Sequence, residues 1–290
     1  MRHWACLAVP LLLGACSLAP AYERPAAPIP SSWPVGDAYP GQGGPRLPAI
    51  SYRDIFRDAR LQHIIDQALA TNRDLRIAAA NIAQARAQYR IQRAEVLPEI
   101  VAGASAGYAD NGNASTGGGA SSGGRASFSA DIGTTAFELD LFGRIASLSE
   151  AALNRYFATE AAARATRLAL VGGIADAWLA YAADRSLLAI AAETVTSARK
   201  SVDLTRRRLE GGIAPRSDLR QAEIVLATAE ADHAAQRTAI AQDVNLLRLL
   251  VGAPVDPALL PASIEEAGQT LADLPAGLDS AILLRRPDVM

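Results

Sequence analysis

The sequence predicts a mainly α-helical fold of long antiparallel helices, with one β-hairpin set between them. Composition is the first reason: of 290 residues 62 are alanine, whereas Phe, Trp and Tyr together number 15. Alanine is the strongest helix former and a poor filler of a compact core, so the balance suits helices packed closely side by side. The second reason is a run of apolar residues at heptad spacing, and the third is a pair of alternating segments joined by a Gly/Ser/Asn-rich stretch. A hydrophobic content of 50% excludes an intrinsically disordered chain, and a net charge of -2 argues against a nucleic-acid partner.

The chain opens on an address. Arg2 is followed by the largely apolar run Trp4–Leu13, long enough for a signal-peptide core and too short to span a bilayer as a helix. The run ends in Leu13-Gly14-Ala15-Cys16, which resembles the bacterial lipobox, where the cysteine becomes the acylated first residue; a plain secretory signal is the alternative. The expected signal is 1–15, with a covalent lipid on Cys16. Cys6 leaves with the signal, so no disulfide is expected in the mature chain. Ser17 follows the cysteine, and by resemblance to lipoprotein sorting the absence of Asp there favours the outer membrane. Prolines recur from Pro20 to Pro48, which forbids helix and predicts an extended tether over 16–58.

A helix is then predicted over 59–97. Leu61, Ile65, Ala68, Asn72, Leu75, Ala79, Ile82, Arg86, Tyr89, Arg93 and Val96 fall at alternating steps of four and three, and Pro98 stops the run. Small residues alternate from Ile100 to Tyr108, and Ala126, Phe128, Ala130 and Ile132 alternate with Ser127, Ser129 and Asp131. This is the pattern of a hairpin, at about 99–140. Strands of about ten residues, apolar on one face and small or polar on the other, suit an outer-membrane barrel; a soluble hairpin with a glycine-rich loop shares the pattern.

A second helix is expected from about Ile145 to Glu210, with a seam of Leu168, Val171, Ala175, Trp178 and Ala182 and a kink or close-packing point at Gly172-Gly173. Gly211-Gly212 ends it, Pro215 or Ser217 opens a third helix reaching Leu250, and Gly252 with Pro254 closes that one. A connector follows over 253–290.

No catalytic or metal constellation is legible. His3, His63 and His233 are scattered, with His63 and His233 expected at helix surface or packing positions. Gly117-Gly118-Gly119 lacks the Lys-Ser/Thr of a phosphate loop, and Glu223 and Glu230 read as a solvated helix face. Neither enzymatic activity nor a cofactor is expected.

Glu138-Leu139-Asp140-Leu141-Phe142-Gly143-Arg144 resembles the signature of the TolC-like outer-membrane efflux factors, in their NodT-type lipoprotein branch. Further matches lie in order: Phe56 and Asp58 with Leu61, Asn72-Arg73-Asp74-Leu75, Leu97-Pro98, Ala175 to Tyr181, and Asn245 to Gly252 with Pro254. Leu283-Leu284-Arg285-Arg286-Pro287-Asp288-Val289 is similar to the family's start of a second repeat, while Tyr52 and Phe137 stand where the family commonly has another residue. The resemblance implies helices forming a periplasmic tunnel and strands pooled into a transmembrane β-barrel, in a homotrimer. It implies a passive exit duct for small molecules or drugs, docked on a periplasmic adaptor and fed by an inner-membrane pump of the resistance-nodulation-division type. The turn Gly211, Gly212, Ile213, Ala214, Pro215, Arg216, Ser217 and Asp218 is then the expected adaptor contact, although any helical hairpin needs such a turn. Since the family carries two repeats, the resemblance also implies a first repeat at 59–252 and a second cut short after its start. Rival classes are a periplasmic adaptor, which would flank one helical hairpin with lipoyl-like and barrel domains, and a structural coiled-coil lipoprotein.

Overall fold

The computed structural model describes residues 22–23, 25–26, 51–109, 125–134, 137–272 and 280–290. Helices α1 (Tyr52–Ile55), α2 (Ala59–Thr71) and α3 (Arg73–Ala94) precede strands β1 (Ile100–Ala109) and β2 (Arg125–Thr134). Then come α4 (Arg144–Glu210), α5 (Arg216–Val251), a 3-10 turn at Pro257–Leu259, α6 (Ile264–Ala267) and a 3-10 stretch at Ser280–Arg285. The described residues fall into two compact units: one contains Ala83–Phe157 with the described residues before Ala26, the other the rest.

The helix predicted over 59–97 is two helices, broken at Asn72. Asn72 leaves helical geometry at ψ 136, and its Oδ1 accepts the Leu75 N–H at 2.9 Å, capping α3. Its Nδ2 donates to the Leu250 carbonyl at 2.7 Å, and Thr71 Oγ1 donates to the Val251 carbonyl at 2.7 Å. A helix C-terminus leaves its last carbonyls without intrahelical partners, and these two side chains supply them. Heptad spacing does not register such a break, because apolar positions continue in step on either side of it. The half-buried line along α3 is also shifted from the predicted one. Leu75, Ile82 and Tyr89 hold, but Ala78, Ala85 and Gln92 take the alternate positions in place of Ala79, Arg86 and Arg93. Choosing the other residue of each adjacent pair keeps both arginines in solvent.

In the larger unit, Leu61, Ile64, Ile65 and Ala68 of α2 pack with Ile174, Ala177, Trp178 and Ala182 of α4 and with Leu247 and Val251 of α5. The Trp178 indole donates to the Leu259 carbonyl at 3.0 Å, while the Arg60 guanidinium lies 5.7 Å from its ring centre. Arg60 is itself gripped by Asp58 at 2.7 Å and Glu266 at 2.6 Å. Within the expected tether, Tyr52–Ile55 is helical and Phe56 is buried; Phe56 bridges Leu271 in antiparallel fashion, with Arg57 N–H bonded to the Thr270 carbonyl at 2.6 Å. The segments before α2 and after α5 are thereby tied together.

Helix α4 runs unbroken through Gly172-Gly173, and a methyl group at either glycine would meet nothing described within 4 Å, so neither supplies a close-packing contact here. Leu168 of the predicted seam is exposed, whereas Val171, Ala175, Trp178 and Ala182 are buried. Further along, α4 and α5 pair through Val195, Ala198 and Ala229. Arg199 donates to Glu230 across the pair at 2.8 Å, so Glu230 links two helices rather than facing solvent alone.

In the smaller unit the hairpin is antiparallel and in register from Ile100↔Thr134 to Ala109↔Arg125. One face carries Ala102, Ala104, Ala106 and Tyr108 with Ile132, Ala130, Phe128 and Ala126. The other carries Gly103, Ser105 and Gly107 opposite Asp131, Ser129 and Ser127. Residues 110–124, which form the expected connecting loop, lie outside the described residues.

Candidate functional site

The signature segment forms the turn that starts the longest helix. Glu138 receives the Arg144 guanidinium on both carboxylate oxygens, Nε to Oε1 at 3.1 Å and Nη2 to Oε2 at 2.6 Å. This fork is the geometry in which Arg and carboxylate bind most specifically, and it holds the Glu138 carboxyl below the usual range. Asp140 reaches forward to accept the Ala146 N–H at 2.9 Å. That bond, with the neighbouring amides of Ile145, Arg144 and Gly143, pulls the Asp140 carboxyl down as well. Gly143 sits at φ 74, a region side-chain-bearing residues avoid, and its carbonyl accepts from Ser147. Leu139, Leu141 and Phe142 are left exposed around the ion pair. The charged and glycine positions of the signature thus make a helix start; its apolar positions do not serve that purpose.

The second predicted site, Gly211–Asp218, is a compact α4–α5 turn. Ile213 N–H bonds the Arg208 carbonyl at 2.8 Å and Gly212 N–H bonds the Leu209 carbonyl at 3.0 Å, with Gly212 at φ 72. This paired closure requires a left-handed residue, hence glycine at 212. Pro215 is the residue before α5, and its missing N–H costs nothing there. Of the alternative starts Pro215 and Ser217, the structure takes the first. Ala214 is buried, while Ile213 and the polar residues Arg216, Ser217 and Asp218 face outward. Beside the turn, Ala198, Ser201, Thr205, Asp218, Gln221, Ala222 and Val225 line a groove of about 350 Å³ between α4 and α5.

One feature escaped the sequence reading. Along α5 the less exposed positions run Leu226, Ala229, His233, Gln236, Ile240, Asp243 and Leu247, again at steps of three and four. The Oδ2 of Asp243 is buried without a described partner, and burial together with Asp184 of α4 pushes the Asp243 carboxyl up. Heptad phasing of the third helix would have placed Asp243 in the seam. His233 is half-buried on that seam and His63 is exposed, matching the packing and surface roles expected of them. The expected lipid site, Cys16, lies outside the described residues. No described helix is long and apolar enough to cross a membrane.

Comparison with known proteins agrees with this geometry. Residues 64–253 match the family described as Outer membrane efflux protein. The chain is 42% identical over 280 residues to a probable efflux pump outer membrane protein, TtgC, of Pseudomonas putida, covering 96% of this chain and 57% of that protein. It is 37% identical over 284 residues to the outer membrane protein OprJ of Pseudomonas aeruginosa, covering 98% of this chain and 59% of that one. A solved membrane protein from Pseudomonas aeruginosa superposes with a TM-score of 0.70 at 35% identity, over 94% of this chain and 60% of its own. The chain therefore spans under two thirds of the length of each of these proteins. Its fold, long helices with a two-stranded antiparallel hairpin, is that of the TolC-like channels. With the family match extending from the buried Ile64 of α2 to just past the Gly252 cap of α5, this chain belongs to the outer membrane efflux protein family.

Proposed function

We propose that the chain contributes to a passive exit duct of the outer membrane, in a tripartite system that expels small molecules or drugs. In this reading β1 and β2 lend two strands to a transmembrane barrel, and α3, α4 and α5 wall a tunnel extending into the periplasm. Three copies assemble the duct. The Gly211–Asp218 turn meets a periplasmic adaptor, which joins the duct to an inner-membrane pump of the resistance-nodulation-division type. Cys16 carries a lipid that anchors each copy to the outer membrane. The duct has no catalytic step and needs no cofactor, because the pump supplies the energy.

The observation that carries the reading is the two-faced hairpin within a chain of this family. Its largest apolar residues, Ile100, Tyr108, Phe128 and Ile132, share one face and are exposed, while the other carries glycine, serine and Asp131, with Val101 at its start. A hairpin that gives neither face to a protein core suits a wall with lipid on one side and water on the other. Relatives named as efflux pump outer membrane proteins support the same assignment.

The test is a gene deletion. Loss of the chain sensitises cells to exported compounds, and plasmid-borne wild-type protein restores tolerance. Unchanged susceptibility across antibiotics, dyes and organic solvents contradicts the proposal.

A further inference from the structure

Helices α4 and α5 are locked together at two levels, and the stretch between them is built differently. Toward the core, Trp178 and Ala182 pack with Leu247 and Val251; further along, Val195 and Ala198 pack with Ala229. Between Ala229 and Leu247 the seam of α5 carries His233, Gln236, Ile240 and Asp243, so all but one of these positions are polar. Gln236 Oε1 and Asp243 Oδ2 are both buried there without a described partner. A buried polar atom left unpaired costs free energy that an apolar side chain would not, so this interval is the weak part of the pair.

Asp243 meets its own kind. Asp184 of α4 lies within hydrogen-bonding reach of it, and two carboxyl groups cannot hydrogen-bond unless one of them keeps its proton. Nothing basic stands in. Arg185 of α4 and Arg237 and Arg248 of α5 are exposed, and neither they nor any described charged group of α2 or α3 acts on Asp243. His233, the next titratable residue along the seam, stands roughly 15 Å further along α5 at the helical rise, beyond a Debye length in physiological salt.

We propose that Asp184 and Asp243 form an acid-closed joint between α4 and α5, shut while the two carboxyls share one proton and parted once that proton passes to water. Burial and the neighbouring carboxyl favour the protonated form of Asp243. The joint is therefore closed at acid pH and opens as the pH rises through the raised value of Asp243, above the ordinary carboxylate range. Two charges left in the seam repel and draw in water, while the locks on either side keep the helices joined. Opening is a local parting and not unfolding. From Asp184 to the end of α4 at Glu210 is roughly 39 Å at the helical rise, so a change of angle at the joint is magnified at the Gly211–Asp218 turn. The joint involves α4 and α5 alone, whatever the faces of the hairpin meet.

Distances between paired nitroxides in the full chain test this. Leu187→Cys with Gln242→Cys reports on the joint, and Ser197→Cys with Ala231→Cys reports on the lock beyond it; all four side chains are exposed. Pulsed electron resonance is read at intervals from pH 4 to pH 8. The joint pair is expected to lengthen by several Å as the pH rises, with the lock pair unchanged. Asp243→Asn is expected to hold the joint pair at its acid distance throughout, because an amide donates to the remaining carboxylate. Asp184→Asn removes the same repulsion from the other helix and is expected to do likewise, so the result does not hang on one variant. A joint pair that ignores pH in the wild-type chain overturns the proposal, and so does a pH response that survives both variants. Equal lengthening of the two pairs also overturns it, since that is a general loosening of the helices.

Discussion

The Asn72 side-chain amide donates to the Leu250 carbonyl at 2.7 Å, joining the break between two helices to the end of a third. The same side chain caps α3 through Leu75, so one buried residue satisfies two helix termini. Asn72→Ala removes both bonds and leaves the Leu250 carbonyl without its partner. The expected loss is about 2 kcal/mol, read by denaturant unfolding. Asn72→Asp keeps the acceptor for Leu75 but has no donor for Leu250, so it fails to restore wild-type stability.

Gly252 stands at φ 76 where α5 ends, and a methyl group there would lie 2.9 Å from the Thr71 carbonyl oxygen. Left-handed geometry alone costs a residue with a Cβ about 1–2 kcal/mol, and the backbone contact adds to it. Gly252→Ala is expected to lower the melting temperature by more than Gly172→Ala, where the added methyl meets open space in a helix that favours alanine.

Asp243 gives the chain a pH dependence of known sign. Burial beside Asp184 raises its carboxyl pKa on folding, so the folded chain holds that proton more tightly than the unfolded chain. Stability tied to this group is present at acid pH and is lost as the pH climbs from the ordinary carboxylate range through the raised value. Asp243→Asn removes that loss. Thermal melts are expected to show the variant more stable than wild type at pH 7, with the difference shrinking as the medium is acidified. A variant less stable at neutral pH would show that the carboxylate is accepting a bond that the amide cannot replace.

Much of this architecture was legible because periodicity and punctuation are local. Gly211-Gly212 before Pro215 and the alternation around Phe128 each mark a boundary that the backbone obeys, whereas α3 already ends at Ala94, short of the end at Leu97 that Pro98 predicts. What escaped the reading depends on partners distant in sequence. Nothing near Asn72 announces a bond to a residue far along the chain, and a heptad template accepts Asn there without noticing the break. The signature Glu138–Arg144 was recognisable by resemblance, but only geometry shows that its charged members hold a helix start while its leucines and phenylalanine stand exposed. Asp243 is less legible for a simpler reason: the caps that bound α5 do not by themselves phase its seam.

Alternating chemical access along β2, in cells, tests the duct most directly. Single substitutions Ala126→Cys, Ser127→Cys, Phe128→Cys, Ser129→Cys, Ala130→Cys, Asp131→Cys and Ile132→Cys are exposed to a membrane-impermeant maleimide. A strand in a barrel wall predicts labelling at 127, 129 and 131, on the face shared with Gly103 and Ser105, and protection at 126, 128, 130 and 132. Uniform labelling at all seven positions would place both faces of the hairpin in water and contradict the account.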